Sequence, residues 1–355
     1  MIFFVILSSK IEFFMNILFK FIIIVVIHSI SDEYISAQTS NSRVMFFNAE
    51  NYFDTFDDPN TLDDEFLAKG SYRWTWDRFL FKRNSISKVI IAVGEGKAPA
   101  LVGLCEIENR FVLNQLVKET PLSKFEYGIV HRESPDARGI DVALLYNPAD
   151  FTLLHQNFYA ISQDFLTREI LYAKGIFADA DTLHIFVNHF PSKYGGAKTS
   201  EPRRITAALE LKRLCDSVLT INKDANILIM GDFNDTPNSV PITESLQAKD
   251  DFSTIVPENL YNMALHLANQ GEGTLKFQGV WEIIDLFFVS GNMLNPSNKI
   301  HCTQSDFKIF KAPFLFEKDQ AFLGEKPKRT YIGRKYNGGI SDHLPVYLDL
   351  TIEKQ

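Results

Sequence analysis

Residues 227–234 read Ile-Leu-Ile-Met-Gly-Asp-Phe-Asn, an apolar run followed at once by a glycine, an acid and an amide. A run of this length predicts a buried strand. Asp232 and Asn234 then lie at its carboxyl end, where open α/β sheets place their functional groups. Gly231 lets the backbone turn or approach a ligand closely. Aspartate can accept a proton or bind a metal, and asparagine can orient the group that aspartate acts on. A capped turn is the alternative.

Other segments repeat this pattern, with an acid, amide or imidazole at or near the end of an apolar stretch. They are Asn48-Ala49-Glu50, Cys105-Glu106, Asn188-His189, Asp285 within residues 283–289, and Ser341-Asp342-His343. Taken singly, each has a structural explanation. Asn48 can cap a strand, Glu106 can stabilise the first turn of a following helix, and His189 can be a hydrogen-bonded core residue.

Asp285 is harder to explain as a structural residue. Its neighbours are apolar on both sides, and an acid in such a stretch is costly to bury unless it is paired. His343, just before the apolar segment that ends the chain, is the natural partner. We therefore predict an Asp285–His343 pair, with a simple turn at residues 342–343 as the alternative.

Composition limits the class of protein. The 355 residues are 46% hydrophobic and include 31 phenylalanines, enough for a sizeable core with thick apolar layers. Length alone suggests two domains, but large α/β folds form one, and no Pro/Ser-rich linker divides the chain. The formal charge of −8 excludes the broad positive field of a nonspecific DNA-binding protein, although a local basic groove remains compatible with it.

The first forty residues differ from the rest. Residues 18–27 are apolar apart from Lys20, and Ser36-Ala37 precedes Gln38. This pattern predicts a secretory signal over residues 1–37, with Met15 as a possible start, and a mature domain over residues 38–355. The protein is then exported, periplasmic or secreted, with no transmembrane segment after signal removal. An uncleaved anchor is the alternative.

Three cysteines allow at most one disulfide and show no zinc-type spacing. We expect Cys105, Cys215 and Cys302 to be buried as small apolar residues.

Periodicity predicts an alternating order of strands and helices. Strands are expected at residues 43–47, 100–105, 125–130, 141–146, 170–177, 183–187, 227–230, 283–289 and 345–350. Helices are expected at residues 85–93, 109–118 and 201–219, with Pro202 in the first turn of the last one. Residues 53–80, 236–280 and 291–340 are expected to be irregular.

Together, the polar clusters resemble the motifs of the endonuclease/exonuclease/phosphatase superfamily, which includes DNase I, abasic-site endonucleases, sphingomyelinases and inositol polyphosphate phosphatases. The strongest matches are the Gly-Asp-Phe-Asn segment at 231–234 and Ser-Asp-His at 341–343, and the resemblance covers residues 43–351. It implies a DNase I-like four-layer α/β sandwich with two central mixed β-sheets. It also implies a phosphate-ester hydrolase that needs a divalent cation, Mg²⁺ or possibly Mn²⁺.

The resemblance also implies roles for individual residues. Glu106 would ligate the metal with Asn48, Glu50 and Asp342 close by, and hard oxygen donors suit Mg²⁺ or Mn²⁺. Asp232, helped by Asn234, would deprotonate a water that attacks in line. His343, held by Asp285, would contact the scissile phosphate. His189 would stabilise the developing charge or act as an acid near the leaving oxygen.

Arg138 and Asn188 complete the set, as residues that bind the substrate phosphate. A guanidinium at Arg138 could grip phosphate through two hydrogen bonds, or it could be a solvated loop cation. Asp141 is expected to pair with Arg138 or with another strand. Residues 326–336 combine basic side chains with Tyr331 and Tyr336, which suits a polyanion or a solvated loop.

The leading hypothesis is an exported, endonuclease-type phosphodiesterase that acts on nucleic acid, with no stable protein partner. A phosphomonoesterase or a phospholipid or sphingomyelin phosphodiesterase of the same fold is the alternative enzyme. A noncatalytic binding module would require loss of the acids and histidines, which are all present. A serine hydrolase is disfavoured because no strand–Gly-x-Ser-x-Gly–helix segment occurs.

Overall fold

The computed structural model describes residue 15, residues 19–20, residues 38–161 and residues 166–354. The chain divides into a large unit, Ser40–Glu353, and a small one, Met1–Thr39 with Lys354–Gln355. The expected signal segment lies almost wholly outside the described residues, so its cleavage stays a prediction. Among the described residues, no helix combines the length and hydropathy needed to cross a bilayer.

Within the described part of residues 40–353, α-helices occupy four segments, and shorter helical turns lie before, between and after them. The α-helices are α1 (Trp76–Val93), α2 (Arg110–Lys118), α3 (Ala197–Ile221) and the single turn α4 (Leu265–Ala268). The 3-10 turns are Asp64–Phe66, Pro121–Phe125, Gly291–Leu294, Gln304–Asp306 and Pro313–Leu315, and Pro241–Ser245 is a π-helical turn.

The strands form two large sheets and three small hairpins. In chain order they are β1 (Gln38–Tyr52), β2 (Leu101–Ile107), β3 (Gly128–His131), β4 (Asp141–Tyr146), β5 (Phe151–Tyr159), β6 (Ile170–Phe177), β7 (Asp181–His189), β8 (Asn226–Asp232), β9 (Leu260–Asn262), β10 (Leu275–Phe277), β11 (Val280–Glu282), β12 (Asp285–Ser290), β13 (Ile300–His301), β14 (Phe307–Ile309), β15 (Phe316–Lys318), β16 (Glu325–Pro327), β17 (Tyr331–Ile332), β18 (Lys335–Tyr336) and β19 (Val346–Lys354).

Both large sheets are mixed. The first has the order β13-β19-β1-β2-β4-β3, with β14 also on β19, and the second has the order β5-β6-β7-β8-β12-β9. The pairs β1/β2 and β7/β8 are parallel, whereas β2/β4, β6/β7 and β8/β12 are antiparallel. The small hairpins are β10-β11, β15-β16 and β17-β18.

Alternate residues of β1 face different layers, as the two-residue period of a strand requires. Val44 and Phe46 belong to the apolar core shared with the second sheet and α3. Met45 and Phe47 belong to the core shared with α1 and α2. The two sheets approach closely, since a Cβ on Gly103 would lie 2.7 Å from the sulfur of Met230. The expected four-layer sandwich with two central mixed sheets is confirmed.

Strands β3 and β5 differ from expectation. The strand expected at residues 125–130 begins only at Gly128, because Pro121–Phe125 is a 3-10 turn in which the hydroxyl of Thr120 accepts a hydrogen bond from the Leu122 amide. Strand β5 was not expected at all. It is an edge strand with Leu154 exposed, and its middle is polar. It therefore lacks the apolar pattern of a core strand.

Helix α3 starts four residues before its expected beginning, so Pro202 lies in its second turn rather than its first. Proline has no N–H to donate to the carbonyl four residues earlier. The buried guanidinium of Arg204 ties down the first turn instead, donating to the Ala197 carbonyl at 3.0 Å and the Ser200 hydroxyl at 2.8 Å. It also pairs with buried Asp235 at 2.7 Å, which fixes the helix to the loop after β8.

Replacing Arg204 by methionine is expected to destabilise the fold by about 3–5 kcal/mol, because Asp235 would keep a buried charge without its partner. Urea unfolding measures the loss. Arg213→Met is the matched control on the same helix, since Arg213 is exposed and pairs only with Glu210 within that helix; it should cost less than about 1 kcal/mol. Equal effects of the two substitutions would contradict this account of Arg204.

All three cysteines are buried and free. The expectation that they serve as small apolar residues is confirmed. Burial raises the pKa of each thiol above its ordinary value, which keeps the thiols neutral.

Candidate active site

The strand ends that carry polar residues meet at one edge of the sandwich. In the second sheet, Asp232 on β8 lies in register between His189 on β7 and Asp285 on β12. In the first sheet, Asn48 lies beside Cys105, the residue before Glu106. The amide nitrogen of Asn48 donates to Glu106 Oε1 at 3.2 Å and to Asp232 Oδ2 at 3.0 Å. One buried side chain therefore links the two sheets at this edge.

The orientation of Asn48 bears on its predicted role as a metal ligand. Its side-chain oxygen accepts a hydrogen bond from the Glu50 backbone amide at 2.8 Å, and its NH₂ group faces the two carboxylates. An NH₂ group is a donor and cannot ligate a cation. In this arrangement Asn48 orients Glu106 and Asp232 rather than presenting an oxygen to a metal.

The backbone next to Asn48 and Glu106 is irregular in strands β1 and β2 of the first sheet. The ladder between β1 and β2 shifts register after Asn48, and the ladder between β2 and β4 shifts after Cys105. Glu50, Asn51 and Glu106 have positive φ angles of 48°, 55° and 57°, which are uncommon for residues with a side chain. Such bulges re-aim side chains beside active sites. Here the Asn51 amide donates to Glu106 Oε2 at 2.8 Å, which holds the carboxylate in place.

Asp232 is almost fully buried and is held on its second oxygen by its own loop. Asn234, at φ 50°, donates its backbone amide to Asp232 Oδ1 at 2.8 Å, and its side-chain nitrogen donates to the Phe190 carbonyl at 3.0 Å. Burial raises the pKa of Asp232 to about 7, with Asp285 adding to the rise and His343 opposing it. Asn234 thus positions Asp232 through its backbone and ties this loop to the end of β7.

The predicted contact between Asp285 and His343 is present. His343 Nδ1 lies 2.8 Å from Asp285 Oδ2, and both side chains are buried. Burial lowers the pKa of His343, but Asp285 and Asp232 outweigh it and hold the pKa well above its ordinary value. Its other ring nitrogen lies 3.9 Å from Asp232 Oδ2. The imidazolium therefore turns one N–H toward the same space as Asp232.

His189 completes the inner ring of the site. Its Nε2 lies 3.6 Å from Asp232 Oδ2 and 4.0 Å from Glu106 Oε1. Burial, followed by the charges of Arg168 and Arg138, lowers the pKa of His189 well below its ordinary value. The ring is therefore neutral near pH 7. A neutral ring suits a hydrogen-bond donor that stabilises charge better than a general acid.

Arg138 lies beside the site on a loop fixed by Asp136. Its half-exposed guanidinium contacts Asp136 at 3.2 and 3.3 Å. Arg168, which the sequence patterns did not single out, also pairs with Asp136 at 2.9 Å and donates to the Phe190 carbonyl at 2.7 Å. Asp141 pairs with His131 on the neighbouring strand at 2.9 Å and not with Arg138. Both guanidinium groups lie close enough to His189 to lower its pKa.

Asn188 does not fit its predicted role in phosphate binding. It is fully buried, and its side-chain nitrogen contacts only the Met230 carbonyl, at 3.4 Å. Successive residues of a strand point to opposite faces, so when His189 faces the site, Asn188 faces away from it.

Glu50 and Asp342 lie on the other side of Glu106, and Arg329 bridges them. Arg329 Nε donates to Glu50 Oε1 at 3.0 Å, and a terminal nitrogen of the same guanidinium lies 3.0 Å from Asp342 Oδ2. Glu50 Oε2 accepts from the Thr330 amide at 2.7 Å. Burial, followed by the charge of Asp342, raises the pKa of Glu50 to about 7. Both carboxylates predicted to lie near the metal are thus already bound to a protein cation.

Lys82 on α1 is a second cation that the sequence patterns did not single out. Its ammonium group is buried and donates to the Glu50 carbonyl at 2.8 Å, the Thr330 hydroxyl at 2.6 Å and the Ile340 carbonyl. It lies 4.0 Å from Glu50 Oε2. Burial lowers the pKa of Lys82 to about 8, against the opposing effect of the acids around it.

The basic segment at residues 326–336 is more ordered than a solvated loop. It forms parts of the β15-β16 and β17-β18 hairpins. Tyr331 is buried and packs on Tyr72 with ring centres 4.8 Å apart, and Arg78 lies over the Tyr336 ring at 4.3 Å. Tyr331 therefore serves the core and is not free to stack on a nucleic-acid base.

The donor set beside Asn48 fits a hard divalent cation. The carboxylates of Glu106 and Asp232 both accept hydrogen bonds from the side-chain nitrogen of Asn48. Glu106 is the more exposed of the two acids. Carboxylate oxygens suit Mg²⁺ and Mn²⁺. A second grouping, Cys105 with His189 and Asp232, also lies close enough to enclose an ion. Its sulfur is a soft donor, which suits Mg²⁺ and Mn²⁺ less well than carboxylate oxygen does.

Comparison with known proteins identifies the fold. Residues 43–352 match the sequence profile of the Endonuclease/Exonuclease/phosphatase family, and no curated protein sequence gives a significant match. A family protein from Bacteroides thetaiotaomicron is similar with a TM-score of 0.55 at 14% identity, covering 89% of this chain and 97% of that one.

Two further solved structures have the same architecture. D. rerio TDP2 complexed with single strand DNA product has a TM-score of 0.54 at 12% identity, covering 88% of this chain and 99% of that one. The human Nocturnin catalytic domain with bound sulfate anion has a TM-score of 0.52 at 16% identity, covering 88% and 97%. At these identities the likeness establishes the fold alone.

Proposed function

Because the chain belongs to the Endonuclease/Exonuclease/phosphatase family, whose members hydrolyse phosphate ester bonds, we propose that it cleaves phosphodiester bonds of nucleic acid with a divalent cation, Mg²⁺ or Mn²⁺. One observation carries the proposal. Asn48 joins the carboxylates of Glu106 and Asp232, and the Asp285–His343 pair turns a ring nitrogen toward the same space.

The two carboxylates, Glu106 and Asp232, would have different roles. Glu106 would hold the cation, which when bound polarises the phosphoryl group and offsets charge on the leaving oxygen. Asp232 would accept the proton of the attacking water, because it is the acid that Asn48 and Asn234 fix in position. General-base catalysis requires a positioned acceptor of this kind. Water then attacks phosphorus directly, with no covalent intermediate on the enzyme.

The imidazoles of His343 and His189 would donate hydrogen bonds to the phosphate group. His343, charged and fixed by Asp285, would donate a hydrogen bond to a non-bridging oxygen and strengthen it as charge develops. His189 is neutral and would donate a hydrogen bond to the same developing charge. Arg138 lies at the rim and can reach a flanking phosphate of a polymer, which a lone phosphomonoester does not provide.

Nucleic acid is the proposed substrate because the half-exposed guanidinium of Arg138 could bind a phosphate next to the scissile one. D. rerio TDP2, which shares the fold, was crystallised with single strand DNA product, and this supports the choice of nucleic acid for the present chain. A phosphomonoesterase or a lipid phosphodiesterase would use the same inner residues. Only the choice of substrate separates these activities.

A panel of substrates tests which class of phosphate ester the protein cleaves. The chain over residues 38–355 is assayed with Mg²⁺ and with Mn²⁺ against single-stranded DNA, RNA, sphingomyelin vesicles, inositol phosphates and p-nitrophenyl phosphate. We expect DNA or RNA to be cleaved fastest, and Arg138→Gln to raise KM for the polymer more than it lowers kcat, because a flanking contact contributes uniform binding. Activity confined to the monoester or to sphingomyelin would overturn the assignment to nucleic acid.

A further inference from the structure

The acidic groups of the site fall into two sets with different charge balance. Glu50 and Asp342 share the guanidinium of Arg329 at 3.0 Å each, and the ammonium group of Lys82 lies 4.0 Å from Glu50. This outer set therefore contains two acids and two bases and is neutral when all four are ionised. It needs no metal ion for charge compensation.

The inner set is not balanced in this way. Asp285 and His343 form a pair that compensates itself, whereas the carboxylates of Glu106 and Asp232 accept hydrogen bonds from the uncharged amides of Asn48, Asn51 and Asn234. Two uncompensated carboxylates are what a single divalent cation neutralises. This difference in charge balance favours a metal ion beside Glu106 and Asp232 over one between Glu50 and Asp342.

We propose that the guanidinium of Arg329 takes the place of a second divalent cation between Glu50 and Asp342, so that the site binds one metal ion, at Glu106. This inference rests on the proposed function, because it assumes that Glu106 holds a metal. Arg329 suits the role because its planar fork binds two carboxylates at once and stays charged. A dication beside it would be repelled and would find the facing oxygens of Glu50 and Asp342 already occupied.

Geometry gives Arg329 a second effect. Only one oxygen of Asp342 is bound to Arg329; the other lies 4.0 Å from His343 Nε2. Arg329 is thus a positioning residue, since it fixes the side chain next to the imidazole that would contact phosphate without reaching the phosphate itself.

Manganese stoichiometry tests the proposal without using activity. Isothermal titration and electron paramagnetic resonance of the chain over residues 38–355 should give one Mn²⁺ per wild-type molecule. Arg329→Gln frees the two carboxylates and should give two Mn²⁺, with spectral broadening from spin coupling. Arg334→Gln, the same change at an exposed arginine five residues along, should give one. Adding Asp342→Asn to Arg329→Gln should return the count to one.

The number of bound Mn²⁺ ions tests the role of Arg329 separately from the proposed function. Two Mn²⁺ in the wild-type protein would overturn the role of Arg329 and leave the proposed function standing, and this measurement does not depend on the folding of any variant. One Mn²⁺ in a folded Arg329→Gln protein would also overturn it. No bound Mn²⁺ in the wild-type protein would overturn the proposed function itself.

Discussion

Replacing Asp232 by asparagine should lower kcat for phosphodiester cleavage by about 10²–10⁴-fold, the usual contribution of a positioned general base. Asparagine keeps the size of the side chain and can still meet Asn48, but it cannot accept the proton of the attacking water. KM should change little, because the lost interaction acts in the transition state. Initial rates on the substrate that the panel identifies give both constants.

The loss should not come from unfolding. Asp232 is a buried acid whose charged form is disfavoured by its surroundings, so a neutral amide of the same shape relieves that cost. Asparagine can accept only one of the two hydrogen bonds that Asp232 accepts from Asn48 and Asn234, which offsets part of the gain. The variant should therefore remain folded at the assay temperature, with a melting temperature within a few degrees of the wild type. Asp250→Asn, the same change at an exposed acid, should alter neither rate nor stability. Full activity in Asp232→Asn would remove the assigned base.

Replacing Glu106 by glutamine should weaken Mn²⁺ binding by more than about 10²-fold, since even residues that only support a metal ligand contribute 10–100-fold. Cleavage at a fixed Mn²⁺ concentration should fall in parallel and recover in part at high Mn²⁺. Titration calorimetry measures the affinity, and Glu119→Gln at an exposed position is the matched control. Unchanged Mn²⁺ affinity in Glu106→Gln would place the cation elsewhere.

Local sequence patterns predict the parts of the site that lie at the ends of strands. An apolar run predicts a strand, and the first polar residues after it lie at the edge of the sheet. Asp232 is predicted on this basis, and the Asp285–His343 contact is predicted from the cost of burying an unpaired acid among apolar residues. The register of β7, β8 and β12 then brings His189, Asp232 and Asp285 side by side.

The residues that the patterns missed act through contacts that are distant in sequence. Lys82 lies in an amphipathic helix, where a lysine normally indicates a solvated face, yet it contacts residues about 250 positions away. Arg329 lies in a run of basic residues that suggested a polyanion surface, yet its partners are Glu50 and Asp342. No local pattern distinguishes these cations from exposed ones, because only the folded chain places acids beside them.

Asn188 shows a prediction that strand geometry could have prevented. It directly precedes His189 on β7, and neighbouring residues on a strand face opposite sides. A phosphate-binding Asn188 beside a catalytic His189 does not agree with that alternation. Asn48 is a different case, because its place in the site was anticipated while the direction of its amide depends on the Glu50 backbone, which the bulge in β1 sets.

Removal and return of the divalent cation tests the central claim most directly. Cleavage of a single-stranded DNA oligonucleotide by the wild-type chain is followed before chelation, after chelation and dialysis, and after addition of Mn²⁺ or Mg²⁺. The convergence of Glu106, Asp232 and His343 predicts that chelation abolishes cleavage and that the added ion restores it. Cleavage at an unchanged rate in the chelated protein would contradict a metal-dependent site built from these residues.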